Sequence, residues 1–391
     1  ALALTIFLEH ADVAGLTGSG AFILLSGAML ANSRKDVTGV RSYVLFLVRR
    51  FARILPAYWG ALLMQDRELL GQIPISTVVI HMLAGQAWCL GYIKLWFIST
   101  IVQLYIVFPI LSLGLSRLGT RQSVSRGLAV AAACYLAQCL LAVYAVHTTD
   151  DDLAGFNNYA RHVFGVGISF YYNPLTRLPQ FVLGISLAHT MQAASAQEVW
   201  WRGRALRIAT DVAAIAIVTF EVAAQATHCC RSQVHKFGPV CNFFFLWSPA
   251  VYVLLFGLGS CTEEATVQKL LKIPEIRVLG KWSYGVYLWG EYLLHTSSAP
   301  NVQGLAACLH LLAVYGATVM ACAVSFNFLE EPFMKIAEQC VAKCNRASEI
   351  GEKEDSDSDA ESDSCCNGTD LEEAEGLAHV HSTPSDKVSS G

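Results

Sequence analysis

Residues 22–59 read FILLSGAMLANSRKDVTGVRSYVLFLVRRFARILPAYW, and the fold is decided by how this stretch is read. An apolar segment runs through Ser26-Gly27 to Leu30, and a basic connection with Arg34, Lys35 and Arg41 follows. Arg49, Arg50 and Arg53 then enter a second apolar segment, closed off by Pro56, Tyr58 and Trp59. Arginines at the end of an apolar segment are costly unless they reach a membrane surface or bind an anion. Both outlets are open here.

The surrounding chain has the same character. Its 391 residues are 54% hydrophobic and only 15% charged, where soluble domains carry about 25% charge. Mean hydropathy is +0.44. This is the composition of a polytopic membrane protein, with the lipid bilayer as its first partner. Apolar segments fall near residues 1–9, 17–31, 43–64, 73–91, 95–116, 126–147, 178–195, 206–226, 239–259, 278–296 and 301–328. Segments near the roughly 20 residues of a membrane crossing are too long for barrel strands. The expected fold is therefore all-α, a polytopic transmembrane bundle of about ten helices over residues 1–335. Residues 1–9 read as the end of a spanning helix whose start lies outside the sequence. They carry no basic flank or cleavage motif of a signal peptide.

Basic loops set the orientation. The 32–50 loop, Arg117 with Arg121 and Arg126, and Arg202 with Arg204 and Arg207 are all expected in the cytoplasm. Three apolar segments lie between the first two of these loops, and an odd number of crossings cannot return to the same side. One of 43–64, 73–91 or 95–116 is thus expected to be re-entrant or misdivided. The aromatic loop 150–174 and the loop 227–238, with His228 and His235, then face the outside or the lumen.

The net charge of −4 hides an imbalance, because the acidic surplus follows Gly351. No basic face tracks a nucleic-acid backbone, so nucleic acid is not an expected partner. The 13 cysteines lie mostly within apolar runs, and none has the spacing of a metal site. Residues 340–391, with their GEKEDSDSDAESDS run, are expected to form a disordered acidic tail in the cytoplasm. Ser356, Ser358, Ser362 and Ser364 could accept phosphate there, and Cys340 and Cys344 could accept a lipid. The tail hints at a eukaryotic endomembrane or plasma-membrane protein.

Two groups can carry chemistry. His10 lies between Glu9 and Asp12 near one end of the first apolar segment. A neutral imidazole with a carboxylate near it is a suitable general base for a hydroxyl. Arg50 and Arg53 are three residues apart and share a helical face. With Arg49 they can hold phosphate oxygens through parallel hydrogen bonds. A phosphate-bearing donor could anchor there with its other end inside the bundle.

The motifs resemble the membrane-bound acyltransferase 3 family. Ser26-Gly27 with Leu30, then Arg49-Arg50-x-x-Arg53-Ile54-x-Pro56-x-Tyr58, resembles that family's N-terminal signature, and His10 stands where its first-helix histidine is found. Leu95-Trp96-Phe97-Ile98 with Tyr105 and Pro109 is similar to its Trp-led helix. Arg177, Phe181 and Gly184 fit its Arg-x-x-x-Phe-x-x-Gly pattern. Ser283-Tyr284-x-x-Tyr287-Leu288-Trp289 resembles a late motif, and Glu330 or Glu331 with Pro332 a closing Glu-x-Pro element.

The resemblance implies an enzyme that transfers an acyl group, commonly acetyl, from acetyl-CoA or another acyl-CoA. The acceptor would be a hydroxyl of a carbohydrate or other small molecule. His10 would be the base, Asp12 one candidate to orient it, and Arg49, Arg50 and Arg53 the donor site, without a metal. The chain departs from the pattern at Ile101 and Val102, where many members carry a glutamate, and at Gly290-Glu291, where a histidine often follows the tryptophan. Glu291 thereby becomes a candidate for the missing polar role. A transporter and a catalytically inactive membrane scaffold are the alternative readings.

Overall fold

The computed structural model describes residues 18–33, 39–65, 75–85, 95–148, 173–196, 203–226, 248–260, 265–297 and 305–346. The described residues are all-α, with twelve α-helices. These are α1 Gly18–Asn32, α2 Gly39–Gln65, α3 Ile75–Met82, α4 Trp96–Arg117, α5 Val124–Thr148 and α6 Pro174–Ala196. After them come α7 Arg204–Ala226, α8 Ser248–Ser260, α9 Thr266–Leu271, α10 Pro274–Lys281, α11 Ser283–Thr296 and α12 Leu305–Ser325. A π-helical turn, Phe326–Glu330, follows α12, and residues 331–346 are again helical. The chain divides into two compact units, Ala1–Glu338 and Gln339–Gly391. Residues 340–346, which the sequence assigns to the tail, are helical; the rest of the tail lies outside the described residues.

Three helical stretches are long and apolar enough to cross a membrane: Trp96–Arg117, Val124–Leu141 and Leu309–Arg346. Gly20–Asn32 and Ser248–Ser260 are apolar but shorter. Helix faces confirm an apolar surrounding. On α7, Ile208, Val212, Ile215 and Val218 form one exposed stripe, and on α5 Leu128, Leu136 and Leu140 do the same. Open apolar stripes at helical spacing need a cover, and a bilayer supplies one. The chain is an integral membrane protein.

The central helix is polar by comparison. On α6 Arg177, Gln180, Ser186, His189 and Thr190 are all buried, with Phe181, Leu183, Ile185 and Leu187 between them. Each of these polar side chains has a partner. Ser186 donates to the Gly127 carbonyl of α5 (2.7 Å), Thr190 donates to the Ser186 carbonyl (2.8 Å), and Tyr252 of α8 donates to Thr190 (3.0 Å). Such a helix is stable because it sits between others, with α1, α4, α5 and α8 packed around it. Its contact with α1 is made by glycines. A Cβ at Gly184 would strike the backbone of Leu24, and one at Gly27 the backbone of Phe181. Small residues let the two backbones approach.

The turn from α4 to α5 follows from Leu118-Gly119-Thr120. Gly119 has φ +73°, its N–H donates to the Ser116 carbonyl (2.9 Å), and the Thr120 N–H donates to the Leu115 carbonyl (3.3 Å). This pair of bonds is the Schellman arrangement, for which glycine is favoured. It sets Thr120 and Arg121 against α6. Arg121 Nε donates to His189 Nε2 (3.1 Å), which leaves the ring proton on Nδ1, facing Thr120 Oγ1 at 2.8 Å. The Thr120 hydroxyl then donates to the Leu115 carbonyl (2.8 Å).

Three sequence expectations change. The segment 73–91 is helical only over Ile75–Met82 among its described residues. These eight residues rise about 12 Å, and the rest of the segment, apart from the turn at 83–85, lies outside the described residues. The last carbonyls of α3 are capped from α2: Tyr58 donates to His81 O (2.6 Å) and Trp59 to Met82 O (3.0 Å). The segment 278–296 is two helices broken at Trp282, because Pro274 starts one helix and Trp282, at φ −92° and ψ 4°, leaves helical geometry before the next. The last apolar segment is helical from Leu305 among its described residues, and its helical path extends beyond residue 328 through the π-turn.

Candidate active site

Arg49, Arg50 and Arg53 stand on α2, one turn before Pro56 lies inside the helix. Arg49 and Arg50 are half-buried and Arg53 is exposed, while Ile54, Ala57, Tyr58 and Ala61 on the following turns are buried. Arg50 is steadied by aromatics. Its guanidinium lies 5.7 Å from the Phe46 ring centroid, Phe46 stacks on Phe108 of α4 (5.5 Å), and Phe108 meets Phe181 of α6 edge-on (6.3 Å). None of the three arginines forms a salt bridge or hydrogen bond with a described residue. Their donors are therefore open to an anion.

The late motif comes to this same region. Tyr284 of α11 donates to the Ile54 carbonyl at 2.8 Å, which ties α11 directly to the arginine-bearing turn. Tyr58, Tyr105, Tyr287 and Glu330 are within electrostatic reach of Tyr284, and Arg53 is the cation whose field reaches Glu330. Tyr105 likewise lies within reach of Arg50. Four tyrosines, two arginines and one carboxyl thus converge from α2, α4, α11 and the π-turn.

Tyr287 has a further contact. α4 begins at Leu95, a buried left-handed residue (φ 57°) whose side chain cannot cap. The Phe97 amide would be an orphan at this helix start. It donates instead to the Tyr287 hydroxyl (3.3 Å), and the two rings lie 5.2 Å apart. Beside them Arg177, fully buried, lies with its guanidinium 5.2 Å from the Trp96 ring centroid and donates to Gln180 Oε1 at 3.2 Å. The Trp-led, Arg-x-x-x-Phe-x-x-Gly and Ser-Tyr-x-x-Tyr motifs, far apart in sequence, meet at the start of α4.

The closing element is resolved in favour of Glu330. Glu330 ends the π-turn and is 2% exposed, whereas Glu331 pairs with Lys335 at 3.2 Å on the outside. The turn is held from two sides, with Leu329 against Gly60 of α2 and Lys281 Nζ 4.3 Å from the Phe326 ring centroid.

His10 and Asp12 lie outside the described residues. Glu291 belongs to α11, but its side chain is also outside them. Sequence reading did not single out the inward hydroxyls of Tyr58, Tyr284 and Tyr287 as one cluster, nor the bonds of His189 with Thr120 and Arg121. For His189 a signal existed, since an imidazole within an apolar segment is costly unless partnered. For the tyrosines none did, because helical rotation decides which way they point.

No curated protein and no solved structure gives a significant match to the chain. A family model described as an acyltransferase domain matches residues 3–326, most of the chain and the α-helices that build this site; of the π-turn it reaches only Phe326. The chain belongs to the acyltransferase 3 family, and at the level of that family its activity is acyl transfer.

Proposed function

We propose that this protein transfers an acyl group, in the first place acetyl, from acyl-CoA to a hydroxyl of a carbohydrate or other small acceptor. The observation that carries this reading is the cluster of Arg50 and Arg53 with Tyr284 and Glu330. Cations in no salt bridge with a described residue, next to buried tyrosines in an apolar bundle, suit a polar, anionic substrate. Arg49, Arg50 and Arg53 grip the donor's phosphates, and the acyl end runs among the tyrosines. Fixing a long thioester in this way raises its effective concentration at the reacting centre.

In this reading His10 takes the proton of the acceptor hydroxyl as its oxygen attacks the thioester carbonyl. The new C–O bond forms, the C–S bond breaks, and His10 returns the proton to the departing thiolate. Asp12 or Glu291 orients the imidazole or binds the acceptor. The reading also includes about ten membrane helices, the count expected from the apolar segments, with a cytoplasmic acidic tail in a eukaryotic endomembrane or plasma membrane.

The test uses the protein in nanodiscs with radiolabelled acetyl-CoA and a cell glycan extract. Label is expected to move to an acceptor. His10→Ala should lower kcat by about 10²–10⁴-fold, the range for a lost general base. Neither donor binding nor turnover, with acetyl-CoA or longer acyl-CoAs, would sink the proposal.

A further inference from the structure

Glu330 is a carboxyl with 2% exposure that forms no hydrogen bond or ion pair with a described residue. A carboxyl so nearly enclosed, with no ion pair at bonding distance, is costly to hold charged. The backbone around it is also unusual. Five residues, Phe326–Glu330, are π-helical, and the Glu331 N–H reaches back to Phe326 O. Such one-turn insertions are rare and concentrate at functional sites. Glu330, at the end of this turn, is buried and within electrostatic reach of Tyr284 and Arg53, while Glu331 pairs with Lys335 at the surface.

From this placement we infer that Glu330 recognises the pantetheine arm of the donor, accepting a hydrogen bond from its hydroxyl or first amide N–H. The inference rests on the donor-site reading of the arginines. A carboxyl oxygen in this position needs a hydrogen-bond donor. In coenzyme A the diphosphate is followed within a few bonds by a hydroxyl and then an amide N–H. A diphosphate on Arg53 therefore brings these groups to the neighbouring carboxyl. An acceptor hydroxyl has the same chemistry, but it needs to lie at the thioester, a pantetheine's length from the phosphates.

The sources separate in an equilibrium binding experiment on the full chain in nanodiscs, without acceptor. Coenzyme A has both phosphates and arm, ADP has the diphosphate alone, and pantetheine has the arm alone. Glu330→Ala is expected to weaken coenzyme A by about tenfold or more, the scale of a lost hydrogen bond to a charged group, and to leave ADP unchanged or tighter. Arg53→Ala should weaken coenzyme A and ADP alike. Glu330→Gln retains volume and one acceptor oxygen, so it should fall between wild type and Glu330→Ala even if the alanine variant folds poorly.

Equal weakening of ADP and coenzyme A by both Glu330 variants would reveal a structural role only and overturn the inference. Unchanged coenzyme A affinity in Glu330→Gln and Glu330→Ala would overturn it as well. If wild type binds neither coenzyme A nor ADP, the donor-site reading itself falls, and this inference with it.

Discussion

Arg50 and Arg53 concentrate positive charge on one turn of α2, and none of it is neutralised by a described carboxylate within salt-bridge distance. If this charge binds donor phosphates, Arg53→Ala should raise the donor KM by about 10–100-fold, from a charged hydrogen bond of about 1.5–3 kcal/mol. The effect on kcat should be small, because the arginines lie at the phosphate end. Arg53→Lys should recover only part of the affinity, since an ammonium cannot reproduce the guanidinium fork. Steady-state kinetics with varied acyl-CoA check both outcomes; a fall in kcat at unchanged KM would contradict them. Tyr287→Phe tests a different link. It removes the oxygen that accepts the Phe97 N–H and should cost about 1 kcal/mol in stability, read as a lower thermal midpoint in detergent.

At the scale of elements, the α1–α6 crossing is the most closely packed contact described. Gly27 and Gly184 each lie against the backbone of the other helix, so an added methyl has no flexible side chain to push aside. Gly184→Ala should cost about 1–3 kcal/mol, the range for overpacking a core, and Gly27→Ala a similar amount. Gly316→Ala on α12 is the control, since a Cβ there meets nothing within 4 Å. Thermal unfolding of the three variants should separate the first two from the third; equal midpoints would mean that the helices cross elsewhere. His189 illustrates another element-level device. Its bonds to Thr120 and Arg121 join a turn to the central helix, so His189→Leu should leave Arg121 Nε without this acceptor and lower stability. The apolar pattern of 178–195 concealed this role, because it shows that a helix is present and not what each polar residue on it touches.

At the scale of the whole molecule, the parity of the basic loops turns on residues 73–91. If α2 and α4 cross and residues 73–91, eight of which form α3, do not, the N-terminal end of α2 and the α4–α5 turn are expected on the same side. Val40→Cys and Gln122→Cys, both at exposed positions, should react with a membrane-impermeant maleimide from the same side in a cysteine-free background. Labelling from opposite sides would mean that residues 73–91 cross completely. The sequence by itself determined the membrane class, the position of nearly every long helix and the arginine-bearing turn, since length, apolarity and charge are local properties. It also contained the motifs that place the chain in its family. Only the tertiary structure decided that Glu330 rather than Glu331 is buried, that Tyr287 caps the start of α4, and that Gly27 and Gly184 each lie against the backbone of the other helix. Those outcomes depend on how each helix is rotated and where it crosses its neighbours. Side-chain volumes from the whole bundle set those angles, and no local pattern contains them.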